Sequence, residues 1–368
     1  MPSAHSTSRR TIINTVSKAL AGVVAATAAV AAAVILYLGV SPSTPMFTDV
    51  DRNELPGSIA VLEKVELGGL DQWILIRGAD RSNPVLLWLH GGPGGTQMPF
   101  AHHLDRELED HFVVVHWDQR GAGKSNHAGF DHETMRLGRY LEDARELIQY
   151  LRGRLGQDRI VLLGHSWGTQ FGIELVRANP EYFHAYIGVS QVVNHARATE
   201  LAHAWLEETI DPEAAPEDWR TLQSIEIPAM RHSEYRKLNQ LTDAYGGSLD
   251  LSITEMARIL VRAPEYTVLD YRRLLAGMNR GGRPMHEGGR MAGFDFIETI
   301  PAVEVPIYFF MGRNDHNTPL ALVEEYYEGL RAPHKEVVVF ENSAHLPFLA
   351  EVERFREEVI RVAGDRVP

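Results

Sequence analysis

The 368-residue sequence predicts an α/β fold in which helices flank a mostly parallel, eight-stranded sheet. Three observations support this prediction. Short, almost continuous apolar runs recur along the chain, as expected of strands that are buried on both faces of a parallel sheet. Longer segments with helical spacing of their apolar residues separate these runs, as crossover helices require. A helical block then interrupts the alternation before two further apolar runs complete the sheet.

The strands follow from the apolar runs and from the turn residues that bound them. We predict strands at residues 59–65, 73–76, 85–89, 112–115, 160–163, 187–189, 305–310 and 337–340. Apolar residues from Leu141 to Leu151 recur at helical spacing, which predicts a crossover helix between the fourth and fifth strands. An amphipathic pattern at 348–362 predicts a helix near the end of the chain.

Residues 192–300 lack a convincing buried strand and instead show helical patterns. An insertion at this point of a parallel sheet lies at the carboxyl edge, where open α/β sheets bind their ligands. The sequence therefore predicts a helical lid at 192–300, after the sixth strand, with a binding cleft beneath it. The lid separates a first core segment, 57–191, from a second core segment, 301–368.

The N-terminal region has a separate organisation. A basic segment, 1–18, precedes an uncharged stretch of 22 residues, 19–40, and a Pro-containing linker follows at 41–56. A helix of that length reaches ~33 Å, enough for a ~30 Å hydrocarbon core. The basic flank predicts a membrane anchor that places the remaining chain outside the cytoplasm, on the periplasmic or extracellular face. Two alternatives stay open: a cleaved signal that releases a secreted domain, since residues 8–12 resemble a twin-arginine motif, and a buried soluble helix.

Composition excludes several functions. The 36 Lys and Arg against 49 Asp and Glu give a net charge of −13, which disfavours a nucleic-acid partner. The absence of Cys removes disulfides, thiolate metal sites and a Cys nucleophile. Neither glycine-rich loop fits a nucleotide motif, because Asp118 and Gln97 stand where the phosphate-binding and dinucleotide patterns need glycine. With no metal-binding motif among the His residues, we expect no cofactor and no metal.

The strongest local motif is Gly164-His165-Ser166-Trp167-Gly168, which lies between a predicted strand and a helical pattern. A nucleophile elbow needs this context, because it holds a serine on a sharp turn and needs small residues two positions before and after it. Ser166 is therefore the candidate nucleophile, with an ordinary turn serine as the alternative.

A serine needs a base to accept its proton and an acid to orient that base. In this class of fold the acid and then the histidine follow late strands. Asp315 follows the strand at 305–310, and His345 follows the strand at 337–340, so these two residues are the candidate acid and base. Glu304 and Glu341 are weaker candidates for the acid.

Serine catalysis also needs two N–H donors that face the developing oxyanion. The N–H of Trp167, directly after Ser166, is one candidate. The second should come from His90-Gly91-Gly92-Pro93-Gly94, the loop after the strand at 85–89, and Gly92 is preferred over Gly91.

The same residues resemble the proline iminopeptidase-like members of the α/β-hydrolase superfamily. The resemblance depends on the loop at 90–94, residues 118–125 (DQRGAGKS), 166–168 (SWG), 312–315 (GRND) and the pair at 344–345. It implies an α/β-hydrolase fold, a Ser166–Asp315–His345 triad and an oxyanion hole at Gly92 and Trp167. It also implies that the loop at 118–125 is mainly architectural.

The sequence departs from true proline iminopeptidases in three ways, one of which is the predicted N-terminal membrane segment, atypical of that family. Residue 165 is His where those enzymes usually have Gly, and the lid carboxylates that hold the free α-amine of their substrates cannot be matched, although Glu207, Glu208 and Glu226 are available. The leading hypothesis is a serine hydrolase that cleaves an ester, lactone or amide bond of a small molecule or short peptide. An aminopeptidase, a carboxylesterase or lactonase, and a non-catalytic binding protein remain alternatives.

Overall fold

The computed structural model describes residues 18, 22–32, 34, 42–228, 231–287 and 293–364. The chain divides into two compact units, residues 1–42 with 267–269, and residues 43–266 with 270–368. In the predicted anchor segment, residues 22–32 and 34 are helical, and the remaining positions of 19–40 lie outside the described residues. Within the described part of the chain, none of the helices combines the length and apolar character that a bilayer crossing needs. The anchor, signal and localisation hypotheses stay predictions.

Eight strands form one sheet in the larger unit. They are β1 (Ile59–Leu67), β2 (Leu70–Gly78), β3 (Val85–Leu89), β4 (Val113–Asp118), β5 (Ile160–His165), β6 (Phe183–Val189), β7 (Ile307–Gly312) and β8 (Lys335–Phe340). Their spatial order is β1-β2-β4-β3-β5-β6-β7-β8. β2 pairs antiparallel with both β1 and β4, and all other neighbours are parallel. The predicted eight-stranded, mostly parallel sheet is confirmed.

Most strands are longer than predicted, and β2 and β6 differ most from the prediction, for physical reasons that the apolar-run criterion misses. β2 starts at Leu70 because Gly68 and Gly69, with φ angles of 55° and 73°, form the tight turn of a hairpin with β1. β6 starts at Phe183, and the apolar-run criterion misses this start because the half-buried, polar His184 interrupts the buried residues. The residues added at the start of each strand, 70–72 and 183–186, lack a continuous apolar run.

The helices after residue 100 are numbered in chain order. They are α1 (Ala101–Leu104), α2 (Leu108–His111), α3 (Leu137–Leu155), α4 (Trp167–Ala178), α5 (His195–Thr209), α6 (Pro216–Gln223), α7 (His232–Ala244), α8 (Ile253–Leu260), α9 (Val268–Arg280), α10 (Arg283–Glu287), α11 (Phe296–Thr299), α12 (Leu320–Gly329), α13 (Pro347–Ala350) and α14 (Val352–Gly364). Helices α5 to α11 all lie between β6 and β7 in the chain, and we call the segment that they span, residues 195–299, the helical insertion.

The core lies on both faces of the sheet. Along β3, Leu87 and Leu89 pack into one hydrophobic cluster, whereas Leu86 and Trp88 pack into the other. Successive side chains of a strand point to opposite faces, so a strand covered on both sides must be apolar at every position. The double coverage explains the continuous apolar runs of the sequence.

A buried ion pair ties the loop after β4 to α3. The guanidinium of Arg120 donates two hydrogen bonds of 2.9 Å to the carboxylate of Asp143, and both side chains are almost fully buried. Gln72 of β2 donates a further hydrogen bond of 2.7 Å to Asp143. The loop at 118–125 thus connects the carboxyl end of β4 to the crossover helix α3.

Candidate active site

Ser166 occupies a sharp turn between β5 and α4. Its φ of 50° and ψ of −116° are unusual for a residue with a side chain and indicate backbone strain. The flanking glycines permit the turn: a Cβ on Gly164 would lie 2.8 Å from the Gly168 carbonyl oxygen, and a Cβ on Gly168 would lie 2.1 Å from the Leu89 carbonyl oxygen. Only glycine fits at either position. This steric limit explains why the motif has glycine two residues before and two residues after Ser166.

Asp315 and His345 are hydrogen-bonded to each other. The Nδ1–H of His345 donates to Oδ2 of Asp315 at 2.8 Å, which leaves Nε2 of His345 as the free acceptor. Asp315 also accepts hydrogen bonds from the backbone N–H groups of Asn317 (2.9 Å) and Thr318 (2.8 Å), and from the Thr318 hydroxyl at 2.5 Å. These donors hold the carboxylate in the orientation that the histidine needs.

The backbone of His345 is held on both sides. Its N–H donates to the Ser248 carbonyl at 3.1 Å. Its carbonyl accepts hydrogen bonds from His165 Nε2–H and from the Ser190 hydroxyl, each at 3.0 Å. Asp250 accepts hydrogen bonds from the N–H groups of the two neighbouring residues, Ala344 and Leu346. The loop that carries the imidazole is therefore fixed by contacts from the end of β5, from the residue after β6 and from the helical insertion.

The pKa values of the three buried groups differ in direction. Burial lowers the pKa of His345, but the charge and hydrogen bond of Asp315, with Asp243 and Asp250 nearby, outweigh burial and raise it above its usual value. Burial raises the pKa of Asp315, and the opposing effect of His345 is larger, so the net pKa is lowered. Burial lowers the pKa of His165 to about 3, so this imidazole stays neutral beside His345.

The glycine-rich loop after β3 lies against the Ser166 turn. A Cβ on Gly91 would lie 2.8 Å from Nδ1 of His165 and 3.3 Å from Cβ of Ser166, so the loop backbone passes directly over the candidate nucleophile. Gly92 has a φ of 137°, a conformation that favours glycine. Trp167 is the first residue of α4, where backbone N–H groups have no acceptor within the helix.

Gln119 links the start of the glycine-rich loop to the side chain of Trp167. Its amide nitrogen donates to the His90 carbonyl at 3.1 Å, and its amide oxygen accepts from the indole N–H of Trp167 at 3.2 Å. The backbone N–H of Gln119 donates to Nε2 of His90 at 3.1 Å, so the Nδ1–H of His90 donates to the Gly91 carbonyl at 2.7 Å. These hydrogen bonds fix the position of the glycine-rich loop relative to the start of α4.

One cavity of about 690 Å³ brings most of these residues together. Its walls include Gly92, Ser166, Trp167 and His345, while Asp315 lies buried behind His345. No hydrogen bond joins Ser166 Oγ to His345 among the contacts of the described residues. Such a bond is often long before substrate binds. The arrangement offers a hydroxyl and an imidazole with a free Nε2 at one cavity wall, and an orienting carboxylate buried behind the imidazole.

The helical insertion supplies the opposite wall. Glu207, Glu208 and Glu226 are exposed and do not line the cavity, and Glu226 is paired with Arg231 at 3.0 Å. Of the described residues that line the cavity, Asp243 on α7 alone carries a carboxylate. Burial raises its pKa, and a hydrogen bond with Ser248 opposes that effect. Sequence reasoning missed Asp243 because no local motif surrounds it.

The residues described in the structure include no cluster of three or more His, Asp or Glu side chains that could hold a metal ion. Sequence reasoning also missed His165, Ser190 and Asp250, which hold the His345 loop. The position of His165 inside the serine motif was the only available signal for this group.

The sheet order and the strained serine turn define an α/β hydrolase. The model of the alpha/beta hydrolase fold matches residues 84–352, and the chain belongs to this family. A probable aminopeptidase, YbaC, of Bacillus subtilis (strain 168) is 31% identical, over 83% of this chain and 97% of that protein. A proline iminopeptidase of Heyndrickxia coagulans is 26% identical, over 77% of this chain and 89% of its own length.

A solved structure shares the fold. The crystal structure of a proline iminopeptidase from Mycobacterium smegmatis has a TM-score of 0.62 at 19% identity, over 83% of this chain and 98% of that chain. The resemblance to proline iminopeptidase-like α/β hydrolases is confirmed.

Proposed function

We propose that this hydrolase is a serine enzyme that works through an acyl-enzyme and acts as an aminopeptidase of the proline iminopeptidase type on short peptides. One observation carries the proposal: His345, hydrogen-bonded to the buried Asp315, and the strained Ser166 turn line the same cavity. The aminopeptidase and proline iminopeptidase names of the relatives support the choice of peptide substrates.

In the proposed reaction, Nε2 of His345 accepts the proton of Ser166 Oγ as the oxygen attacks the substrate carbonyl carbon. The N–H groups of Gly92 and Trp167 bind the resulting oxyanion, and Asp315 stabilises the imidazolium. His345 then gives its proton to the leaving amine, and the acyl-enzyme forms. A water molecule, deprotonated by His345, hydrolyses the ester and restores Ser166. The helical insertion acts as the lid that excludes bulk water.

Covalent labelling tests the nucleophile. A fluorophosphonate is expected to modify the protein once, at Ser166, because His345 and Asp315 activate that hydroxyl alone. Intact mass and peptide mapping measure the modification. Ser166→Ala should abolish the label, whereas Ser82→Ala, which removes an exposed serine before β3, should leave it unchanged. Labelling elsewhere, or none with folded protein, contradicts the proposal and favours a non-catalytic binding protein.

In the proposed function, the carboxylate of Asp243, which lines the cavity, holds the free α-amine of a peptide substrate. Asp243→Asn is expected to lower kcat/KM for a prolyl arylamide by about tenfold, since a charge-assisted hydrogen bond is lost. The N-acetylated arylamide should be unaffected by the substitution. Rates are compared on the alkaline plateau, because Asp243 also raises the pKa of His345.

Asp158→Asn removes an exposed carboxylate before β5 and serves as the control. Equal losses for the free and the acetylated substrate would reject an amine-binding role for Asp243.

A second candidate is a carboxylesterase or lactonase without peptidase activity. The apolar residues Ile253, Met256, Leu260 and Leu274 on the insertion favour it, because they form a wall suited to an acyl chain. Short acyl esters and lactones, assayed beside the prolyl arylamide, separate the two candidates. Fast ester hydrolysis with no amine-dependent arylamide hydrolysis would select the esterase.

A further inference from the structure

A second, outer cavity of about 1020 Å³ adjoins the active-site cavity. The two cavities share wall residues on α7, α9 and α10, namely His232, Arg236, Gln240, Asn279 and His286. The outer cavity is bordered by a concentration of basic residues: Arg231, Arg236, Lys237, Arg280 and Arg283. Positive charge is unexpected at this place in a chain whose net charge is −13.

Some of these cations are already neutralised. Arg231 is paired with Glu226 and Glu234, and Arg283 is paired with Glu287 at 2.6 Å. Among the described residues, Arg236 and Arg280 have no ion-pair partner, and Lys237 contacts only the Ser224 hydroxyl, at 3.4 Å. We call Arg236 and Arg280, the two guanidinium groups without an ion-pair partner in the described part of the chain, the basic mouth. Their uncompensated charge attracts anions toward the active site.

A row of imidazoles leads from the inner cavity to the basic mouth. The ring centroid of His195, which lines only the inner cavity, lies 5.5 Å from that of His286, which lies 5.4 Å from that of His232. Burial lowers the pKa of His195 to about 3 and also lowers the pKa of His232, so these rings stay neutral at pH 7. Nε2 of His195 is buried without a hydrogen-bond partner among the described residues. Neutral imidazoles of this kind can bind the amide groups of a peptide without adding charge.

We propose that the basic mouth binds the C-terminal carboxylate of a short peptide whose scissile bond lies at Ser166. The inference rests on the proposed aminopeptidase function and names its substrate class as free peptides of a few residues. An aminopeptidase acts on the first bond, so the leaving part of the peptide extends away from Ser166 and ends in a carboxylate. Guanidinium groups bind carboxylates through paired hydrogen bonds. Asp243 and the basic mouth would then match the two charges of a zwitterionic peptide.

Binding measured without turnover tests the inference. In the full chain with Ser166→Ala, calorimetry gives the Kd of prolyl-glycyl-glycine and of its C-terminal amide. The free acid is expected to bind about tenfold more tightly than the amide, because only the acid forms charge-assisted hydrogen bonds with the mouth. Adding Arg236→Gln and Arg280→Gln should bring the ratio close to one by weakening the acid and not the amide.

The matched control is Arg81→Gln with Arg331→Gln. Both arginines are exposed and precede strands β3 and β8, at the sheet edge opposite the carboxyl ends, so this pair should leave the ratio at its starting value. Equal binding of acid and amide before the arginines are changed, or a ratio that survives the loss of Arg236 and Arg280, overturns the inference. Failure of the proposed function is a separate result, since it appears in turnover and labelling and not in these Kd values.

Discussion

Ser166→Ala is expected to lower kcat/KM by about 10⁶-fold, and Asp315→Asn by about 10⁴-fold. The serine supplies the bond that forms, whereas the carboxylate orients His345 through the 2.8 Å hydrogen bond and stabilises its charged form. Groups that act as one unit lose their effect together, so the double variant should be no slower than Ser166→Ala alone. Steady-state kinetics with the prolyl arylamide measures all three.

The pH profile separates an orienting role of Asp315 from a merely structural one. His345 must be neutral to accept a proton, so kcat/KM rises with pH through its pKa and is lost as pH falls below it. Asp315 raises that pKa. In Asp315→Asn the acidic limb of the profile should therefore move to lower pH, in addition to the loss of rate. An unmoved limb, or losses that multiply in the double variant, would contradict a triad in which these residues act together.

Asp143→Ala is expected to lower the free energy of unfolding by about 3–5 kcal/mol. The substitution leaves the guanidinium of Arg120 buried without its two hydrogen bonds of 2.9 Å, and a buried unpaired charge is costly. It also removes one of the two acceptors of the Gln72 side-chain amide in β2. Urea unfolding followed by circular dichroism measures the change.

Replacing both partners separates the cost of a buried unpaired charge from the cost of losing the contact between the 118–125 loop and α3. Arg120→Met with Asp143→Leu should be far more stable than Asp143→Ala, since no buried charge remains. Glu142→Gln is the exposed control: its ion pair with Arg139 is half exposed, so the loss should stay below about 1 kcal/mol. A double variant as unstable as Asp143→Ala would show that the ion pair is not the main source of stability.

The strands show which sequence patterns were sufficient to predict the bounds of a strand. The prediction at 85–89 matches β3, because a strand covered by two hydrophobic clusters must be apolar throughout. Strand β2 was predicted too short, because its hairpin ends carry polar residues such as Asp71, Gln72 and Arg77. Burial of apolar side chains on both faces leaves a clear pattern in the sequence, whereas an interior strand with half-buried polar positions and a buried, hydrogen-bonded Gln72 leaves a weak one.

The residues of the candidate site also divide into those that the sequence could predict and those that it could not. Ser166, Asp315 and His345 could be predicted because each follows a strand of the sheet and belongs to a short local motif. Asp243 and Asp250 could not, because they lie in the helical insertion and reach the site through contacts that no sequence spacing encodes. The glutamates suggested from the sequence lie elsewhere, on exposed surfaces of the insertion.

The sequence by itself determined which segments form the buried strands, where the serine turn lies and which residues are the candidate triad, since burial on both faces of a strand and glycine sterics act on neighbouring residues. Only the tertiary structure decided which carboxylate enters the cavity, which groups hold the His345 loop and where Arg236 and Arg280 collect. Those contacts join residues that are far apart in the chain, and their formation depends on how the helices of the insertion pack together and against the sheet.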